Sequence, residues 1–346
     1  MMPRNLSGSL AGRSPISGKT PFLILLVLMV VMGSGCRRTP EPVRETRFMM
    51  GTLVEIIVYA RGEDAADAVN RAFTRMAEVE KATSCRIPGN DVESVREGAG
   101  AFFSGDAARV LQVALSTAVA SSGAFDPTLG ELADLWGIGT DRPRVPGEAG
   151  IRDALGRSGY QRIPESGRFP PGEKVWLDLG GVAKGYAVDE AVRVLKDSGI
   201  GAGIVDAGGD LRTFGVKPGS SPWRVGVQDP DQSQELAGIL EAGEISIATS
   251  GDYQRYFEVE GVRYHHILDP ATGKPARSGL KSATVLAPDC ALADALATAA
   301  FVMGPERGLD LLEKRDGVEG ILISEDGMYH TTSGIGTRYP FRKKQP

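Results

Sequence analysis

The chain has 346 residues, of which 42% are hydrophobic and 24% charged, with 45 glycines and a formal net charge of −5. That length holds one large domain, or two intimately joined ones, with a real hydrophobic core. The acidic balance and the lack of a basic stripe argue against a nucleic-acid surface, and no repeat of roughly 20–50 residues marks a solenoid or propeller.

Residues 1–35 read as an export leader. Arg4, Arg13 and Lys19 give a positive start, and Phe22 to Met32 is an apolar run with the length of a signal-peptide core, too short to span a bilayer comfortably. Gly33, Ser34 and Gly35 precede Cys36, a pattern similar to a bacterial lipobox, in which the cysteine is acylated and becomes the new N-terminus. Gly33 stands where such boxes usually carry Leu, so an ordinary cleaved signal with an incidental cysteine is the alternative. Residues 36–45 read as a polar, proline-containing tether and 46–346 as a single domain. The remaining cysteines, Cys85 and Cys290, have no metal-ligand spacing; either a disulfide or two buried thiols fits them.

Along the mature chain, 47–59 predicts a strand rich in β-branched residues, and 64–82 a helix with Ala68, Val69, Ala72, Phe73, Met76 and Val79 on its apolar face. A second helix is expected over 106–122, then a glycine-rich stretch to Gly139 and a proline-broken surface excursion over 140–173. Residues 174–179 predict a strand, 180–185 a glycine loop and 186–198 a helix. Strands are expected at 201–207, 211–216, 223–228, 244–249, 254–259, 262–268 and 281–287, helices at 290–303 and 305–315, and a strand at 319–324 before a hairpin near Asp326-Gly327. Helices bracketing a mostly antiparallel strand region indicate α+β and not a doubly wound parallel sheet.

Four stretches could carry chemistry. In GGVAKG, Gly180 and Gly181 permit close backbone approach and Lys184 adds charge, which suits a phosphate at a helix start; a glycine turn with a solvated lysine is equally open, and Asp178 before it reads also as a capping residue. In CALADALATAAFVMG, Asp294 and Thr298 are four apart on a helix, placing two hard oxygens on one small, apolar face, of the type that Mg2+ accepts. An exposed aspartate and a threonine bonded back to its helix remain the alternative. His265 and His266 are adjacent on an expected strand and so point to opposite faces, leaving one free to face a site as a proton acceptor. Short glycine motifs at Met50–Thr52, 123–130, Ala207–Asp210 and Thr249–Tyr253 read singly as turns.

Taken in order, MGT, AFDPTLG, DLGGVAKGYAVD, AGGD, TSGDY, HHILDPATGKP and ADALATA resemble the ApbE family of FAD:protein FMN transferases over roughly residues 46–340. The resemblance implies an α+β fold of mixed, mostly antiparallel sheets flanked by helices, with an FAD cleft between two subregions. It implies Mg2+ held by Asp294, Thr298 and the backbone carbonyl of Gly181, with FAD as substrate. FAD contacts fall on Met50, Ala124, Phe125, Asp126, Asp178, Lys184 and Ile267, with Ser250 and Gly251 lining the same cleft, and His266 is the expected base. The implied reaction transfers FMN to a Thr or Ser of an acceptor protein and releases AMP. Implied partners are subunits of membrane redox complexes, and the implied location is periplasmic, lipid-anchored through Cys36; Arg37 leaves the choice of membrane open. The chain departs from the family pattern at Ser84-Cys85-Arg86, where Arg86 stands for the usual aromatic residue, and Glu97 lies near the place of an asparagine. These departures keep two alternatives: an FAD pyrophosphatase giving FMN and AMP, and a non-catalytic flavin-binding lipoprotein.

Overall fold

The structure, a computed structural model, describes residues 42–60, 63–219, 222–232 and 234–344. The expected leader and Cys36 lie outside these residues. Among those described, no helix is long and apolar enough to cross a membrane.

The first strand expectation resolves into a hairpin. β1 (Val43–Met49) pairs antiparallel with β2 (Thr52–Val58), and the turn between them puts both Met50 and Gly51 at positive φ. A two-residue turn of that kind matches the right-handed twist of its strands, which is why the MGT motif interrupts the apolar run. The expected tether is also shortened, because Val43, Arg44 and Glu45 already belong to β1.

The hairpin opens an eight-stranded sheet. Its other members are β3 (Gly203–Ala207), β4 (Asp210–Phe214), β7 (Ile245–Gly251), β10 (Leu280–Ala287), β11 (Glu319–Ser324) and β12 (Tyr329–Thr331). The order is β1-β2-β3-β4-β7-β10-β11-β12, and every neighbouring pair is antiparallel. A second sheet joins β5 (Trp223–Gln228), β6 (Leu236–Ala242) and β13 (Phe341–Lys343), and a separate hairpin joins β8 (Tyr256–Val259) to β9 (Val262–His265). The strand β6 is missing from the sequence reading, because ELAGILEA has no clean alternation.

Eight helices occur among the described residues: α1 (Glu63–Thr83), α2 (Asp91–Glu97), α3 (Gly105–Ala120), α4 (Gly130–Trp136), α5 (Glu148–Arg157), α6 (Gly180–Asp197), α7 (Cys290–Met303) and α8 (Pro305–Glu313). The fold is α+β with mostly antiparallel sheets. α2, α4 and α5 fall where loops were expected. α2 is held by its caps: Asn90 Oδ1 accepts from Glu93 N at 2.9 Å, and Gly98 ends the helix at φ 75°. Such short helices depend on caps and packing more than on apolar periodicity.

Alternation along the central strands divides the core. Val205, Phe214, Ala248, Ala283, Val285 and Leu322 face a large cluster shared with α1, α3, α6 and α7. Leu211, Ile247, Leu286, Ile321 and Ile323 face the other way, onto Val225, Val227 and Leu240 of the three-stranded sheet. A third, smaller cluster of Leu132, Trp136, Ile151, Ala154 and Leu268 holds α4 and α5 against the segment that follows β9. Trp136 Nε1 donates to Gly273 O at 2.8 Å, fixing that segment in place.

Candidate active site

The glycine motif after Leu179 is not a loop. Helix α6 begins at Gly180, and Asp178 Oδ1 accepts the Gly180 N–H at 2.8 Å. Residues 174–179, expected as a strand, bury Val175, Leu177 and Leu179 in alternation but join no sheet. Their backbone bonds run to the 127–130 turn, from Gly130 N to Trp176 O and from Asp178 N to Pro127 O, and into α6, where Val182 N and Ala183 N donate to Leu179 O. Glycine is required here by contact and not by bending. A Cβ on Gly181 would stand 3.0 Å from the Phe125 ring, and one on Gly185 would stand 2.2 Å from Cys290 O.

That close approach brings α6 against α7. The latter is buried around most of its circumference, and its six alanines among fourteen residues let helices and sheet pack closely around it. Its N-terminus is fixed by Asp189 of α6, whose two carboxylate oxygens accept Cys290 N and Ala291 N at 3.0 Å each. Arg212 Nη1 lies 2.5 Å from the same carboxylate. Position and tilt of α7 are thereby set at the end nearest Asp294.

Asp294 is 4% exposed and Asp210, at the start of β4, is 3% exposed. Between them sits the Lys184 ammonium, 2.8 Å from Asp210 Oδ2 and 3.3 Å from Asp294 Oδ2. The Lys184 ammonium is the cation paired with the buried Asp210 Oδ2. Gly185 N–H also reaches Asp294 Oδ2 at 3.3 Å; its regular helical acceptor is Gly181 O. Burial, and then the charge of Asp210, hold the Asp294 carboxyl above the usual carboxylate range despite Lys184. Burial alone would lower the Lys184 ammonium, but Asp210 and Asp294 together raise it. Two carboxylates share one ammonium in a buried place, so a further cation there would favour the ionised form of Asp294.

Thr298 lies one turn beyond Asp294, its Oγ1 3.1 Å from Ser250 Oγ of β7. A Cβ on Gly181 would be 3.7 Å from Thr298 Oγ1, so the start of α6 and this face of α7 are neighbours. Among the described residues no three His, Cys, Asp or Glu side chains converge as a metal site. The oxygen groups here are the Asp294 and Asp210 carboxylates and the Thr298 and Ser250 hydroxyls, with the backbone of Gly181 beside them. Such a sparse, hard set fits Mg2+, which keeps waters and substrate phosphate oxygens in its octahedron.

The adjacent histidines do divide, although the strand expected over 262–268 ends at His265 and His266 lies in the bend after it. His265 is buried with its Nε2 2.9 Å from Ala276 O and its ring edge-on to Phe301, so it is a packing residue. His266 faces the cavity, its backbone N–H bonded to Arg255 O at 3.0 Å and its Nδ1 buried without a partner. Burial, then the charges of Arg255 and Lys184, push its pKa down to about 3, so the imidazole is neutral at physiological pH.

These groups share one cavity of about 900 Å³. Met50, Ala124, Phe125, Asp126, Asp178, Gly181, Lys184, Ser250, His266, Ile267, Asp294 and Thr298 all line it. Gly251 does not: it is buried in β7 under the Tyr253 ring, which would stand 2.5 Å from a Cβ there. Met50 holds a left-handed φ of 52°, with its N–H donated to Glu80 Oε1 at 3.0 Å. Both Asp126 oxygens are engaged locally, by Thr128 and by Tyr160 N. Cys85 and Cys290 are unpaired thiols. Cys85 and Arg86 line the cavity, with burial and the nearby Asp178 and Asp134 charges pushing the thiol up to about 11. From sequence, Asp210 reads only as the end of a glycine turn, and Arg255 is not singled out. The aspartate ending AGGD is a signal for the first, whereas nothing in the sequence marks the second.

A model of the ApbE family matches residues 50–322 of the chain. The chain is similar to an FAD:protein FMN transferase of Treponema pallidum, 32% identical over 339 residues, covering 91% of this chain and 94% of that protein. Among solved structures it resembles the ApbE protein of Thermotoga maritima, with a TM-score of 0.78 and 33% identity over 85% of this chain and 97% of the other. It also resembles the flavin transferase ApbE of Vibrio cholerae, with a TM-score of 0.76 and 29% identity over 85% of this chain and 97% of that one.

Proposed function

This chain belongs to the ApbE family and is an FAD:protein FMN transferase; we propose that it works through the cavity where α6, α7 and the segment after β9 meet. The hydroxyl oxygen of an acceptor Thr or Ser bonds to the FMN phosphorus of FAD. The bond from that phosphorus to the bridging oxygen breaks, AMP leaves with the bridging oxygen, and the hydroxyl proton passes to a base. Asp294, Thr298 and the Gly181 carbonyl are the groups that would hold Mg2+. The ion, when bound, supplies positive charge to the diphosphate oxygens as that bond breaks.

The protein's own residues do the rest. His266 is neutral and lines the cavity, so its imidazole brings a ring-nitrogen lone pair for the proton of a hydroxyl that is a poor nucleophile at neutral pH. Lys184, locked between Asp210 and Asp294, is a fixed charge on the first turns of α6 and cannot swing away. Met50, Phe125 and Ile267 give the cavity apolar wall for a flavin or adenine ring, and Ala124, Asp126 and Asp178 line the same wall. The leader and Cys36 support an exported, lipid-anchored protein whose acceptors are subunits of membrane redox complexes.

One observation carries this reading: the buried Asp294–Lys184–Asp210 cluster, with Thr298 one turn on, opens into the same cavity as an uncharged histidine. A second reading, hydrolysis of FAD to FMN and AMP, is favoured by Arg86 in the cavity wall where an aromatic residue was expected. Purified protein given FAD, Mg2+ and an acceptor domain separates them. Flavin fluorescence on the acceptor band with equal AMP supports transfer; AMP with an unlabelled acceptor supports hydrolysis; intact bound FAD supports a carrier.

A further inference from the structure

Arg255 stands at the exposed rim of the cavity, immediately before β8. Its Nη2 donates to Gly51 O of the β1–β2 turn at 3.3 Å, so the side chain crosses from one hairpin to another. Its own carbonyl accepts the His266 N–H. Among the described residues, no carboxylate oxygen lies within 4.0 Å of this guanidinium. The neighbouring cations differ. Lys184 is matched by Asp210 and Asp294, and Arg263 by Glu258 and Asp252.

An arginine beside an active-site cavity with only one backbone partner is a charge in search of an anion. Its fork of N–H donors suits phosphate oxygens, and a single carbonyl uses only one of them. Arg255 lines the same cavity as Lys184 and His266, and its carbonyl holds the His266 N–H. We infer that Arg255 binds the diphosphate of FAD at the cavity rim. This rests on the reading of the cavity as the FAD site. The diphosphate then lies between the α6–α7 floor and a lid made of one side chain, and Arg255 links the nucleotide to the β1–β2 turn that carries Met50. In the same arrangement an anion beside Arg255 offsets the positive charge that acts on His266.

A purely structural role, strapping the β1–β2 turn through Gly51, makes a different forecast, and binding measurements separate the two. Full-length mature protein and its R255Q and R255K variants are titrated with FAD, ADP and riboflavin in chelator, so that no divalent cation contributes. The diphosphate role predicts that R255Q weakens FAD and ADP binding by on the order of tenfold, leaves riboflavin binding unchanged, and recovers partly in R255K. The tenfold gap should shrink as salt is raised. Equal weakening of riboflavin and FAD would show a strap instead, and unchanged ADP and FAD affinity would overturn the inference outright. Should R255Q fail to fold, R255K decides alone: it keeps the charge and gives up the fork, so unaltered ADP affinity together with weakened riboflavin binding rejects the diphosphate role. Failure of the wild-type protein to bind FAD at all counts against the cavity reading and not against Arg255 specifically.

Discussion

Gly185 and Cys290 touch backbone to backbone: a Cβ on the glycine would lie 2.2 Å from the cysteine carbonyl oxygen. The contact is the point at which α6 and α7 are pressed together, one residue after Lys184 and four before Asp294. Because the obstacle is main chain and not a flexible side-chain end, Gly185→Ala must push the helices apart. The expected cost is about 1–3 kcal/mol of stability, from overpacking. Activity should fall further than stability, because the shift separates Asp294 from Gly181. Thermal unfolding and FMN transfer, measured on the same preparation, check both; a wild-type melting temperature would contradict the contact.

Asp189 anchors the other side of this junction through Cys290 N and Ala291 N. Asp189→Asn keeps one acceptor oxygen but sets an NH2 group against a helix N–H, and it leaves Arg212 without its closest partner. A loss of about 1–3 kcal/mol is expected in urea unfolding. The exposed Lys314–Asp310 pair serves as the control, since breaking it should change stability by less than about 0.5 kcal/mol.

His265 gives the stability a pH dependence. Burial lowers its folded pKa to about 4, against roughly 6.5 in the unfolded chain. The unfolded state therefore binds the extra proton first. Stability is fully present above pH 6.5 and is lost as pH falls through the window from 6.5 to about 4, by on the order of 3 kcal/mol. His266 acts in the same direction. Replacing His265 by Gln should flatten the slope in that window; an unchanged slope would show that the group is protonated without cost.

His266→Gln should separate chemistry from binding. Loss of a general base commonly lowers turnover by about 10²–10⁴. FAD affinity should stay near that of the wild type, because the glutamine keeps the backbone bond to Arg255 O. Transfer rates at saturating FAD, alongside flavin-fluorescence titrations, test this; an equal loss of affinity and rate would instead make His266 a nucleotide-binding residue.

Much of the fold is legible in the sequence where apolar periodicity is strong. Helix 290–303 and strands 223–228 and 319–324 fall as the pattern predicts. The misses have physical causes. GGVAKG looks like a loop by propensity, but glycines in α6 answer to the neighbouring Phe125 and Cys290, which lie far away in sequence. The segment 174–179 alternates like a strand yet finds no partner strand. Within the site, Asp294 and Thr298 are legible from their spacing on a helix; the histidine pair stands out in the sequence, but His266 meets the cavity from the bend after β9 and not from a strand. Asp210 joins them only through the fold, and Arg255 only through a bond to a turn some 200 residues earlier.

The most direct test concerns the oxygen cluster on α7. FMN transfer from FAD to an acceptor domain should be followed for wild-type and Asp294→Ala proteins over a range of Mg2+ concentrations. The account predicts saturable dependence on Mg2+ for the wild type and no transfer by the variant at any concentration. Transfer by Asp294→Ala at the wild-type rate and with the same Mg2+ dependence would contradict it.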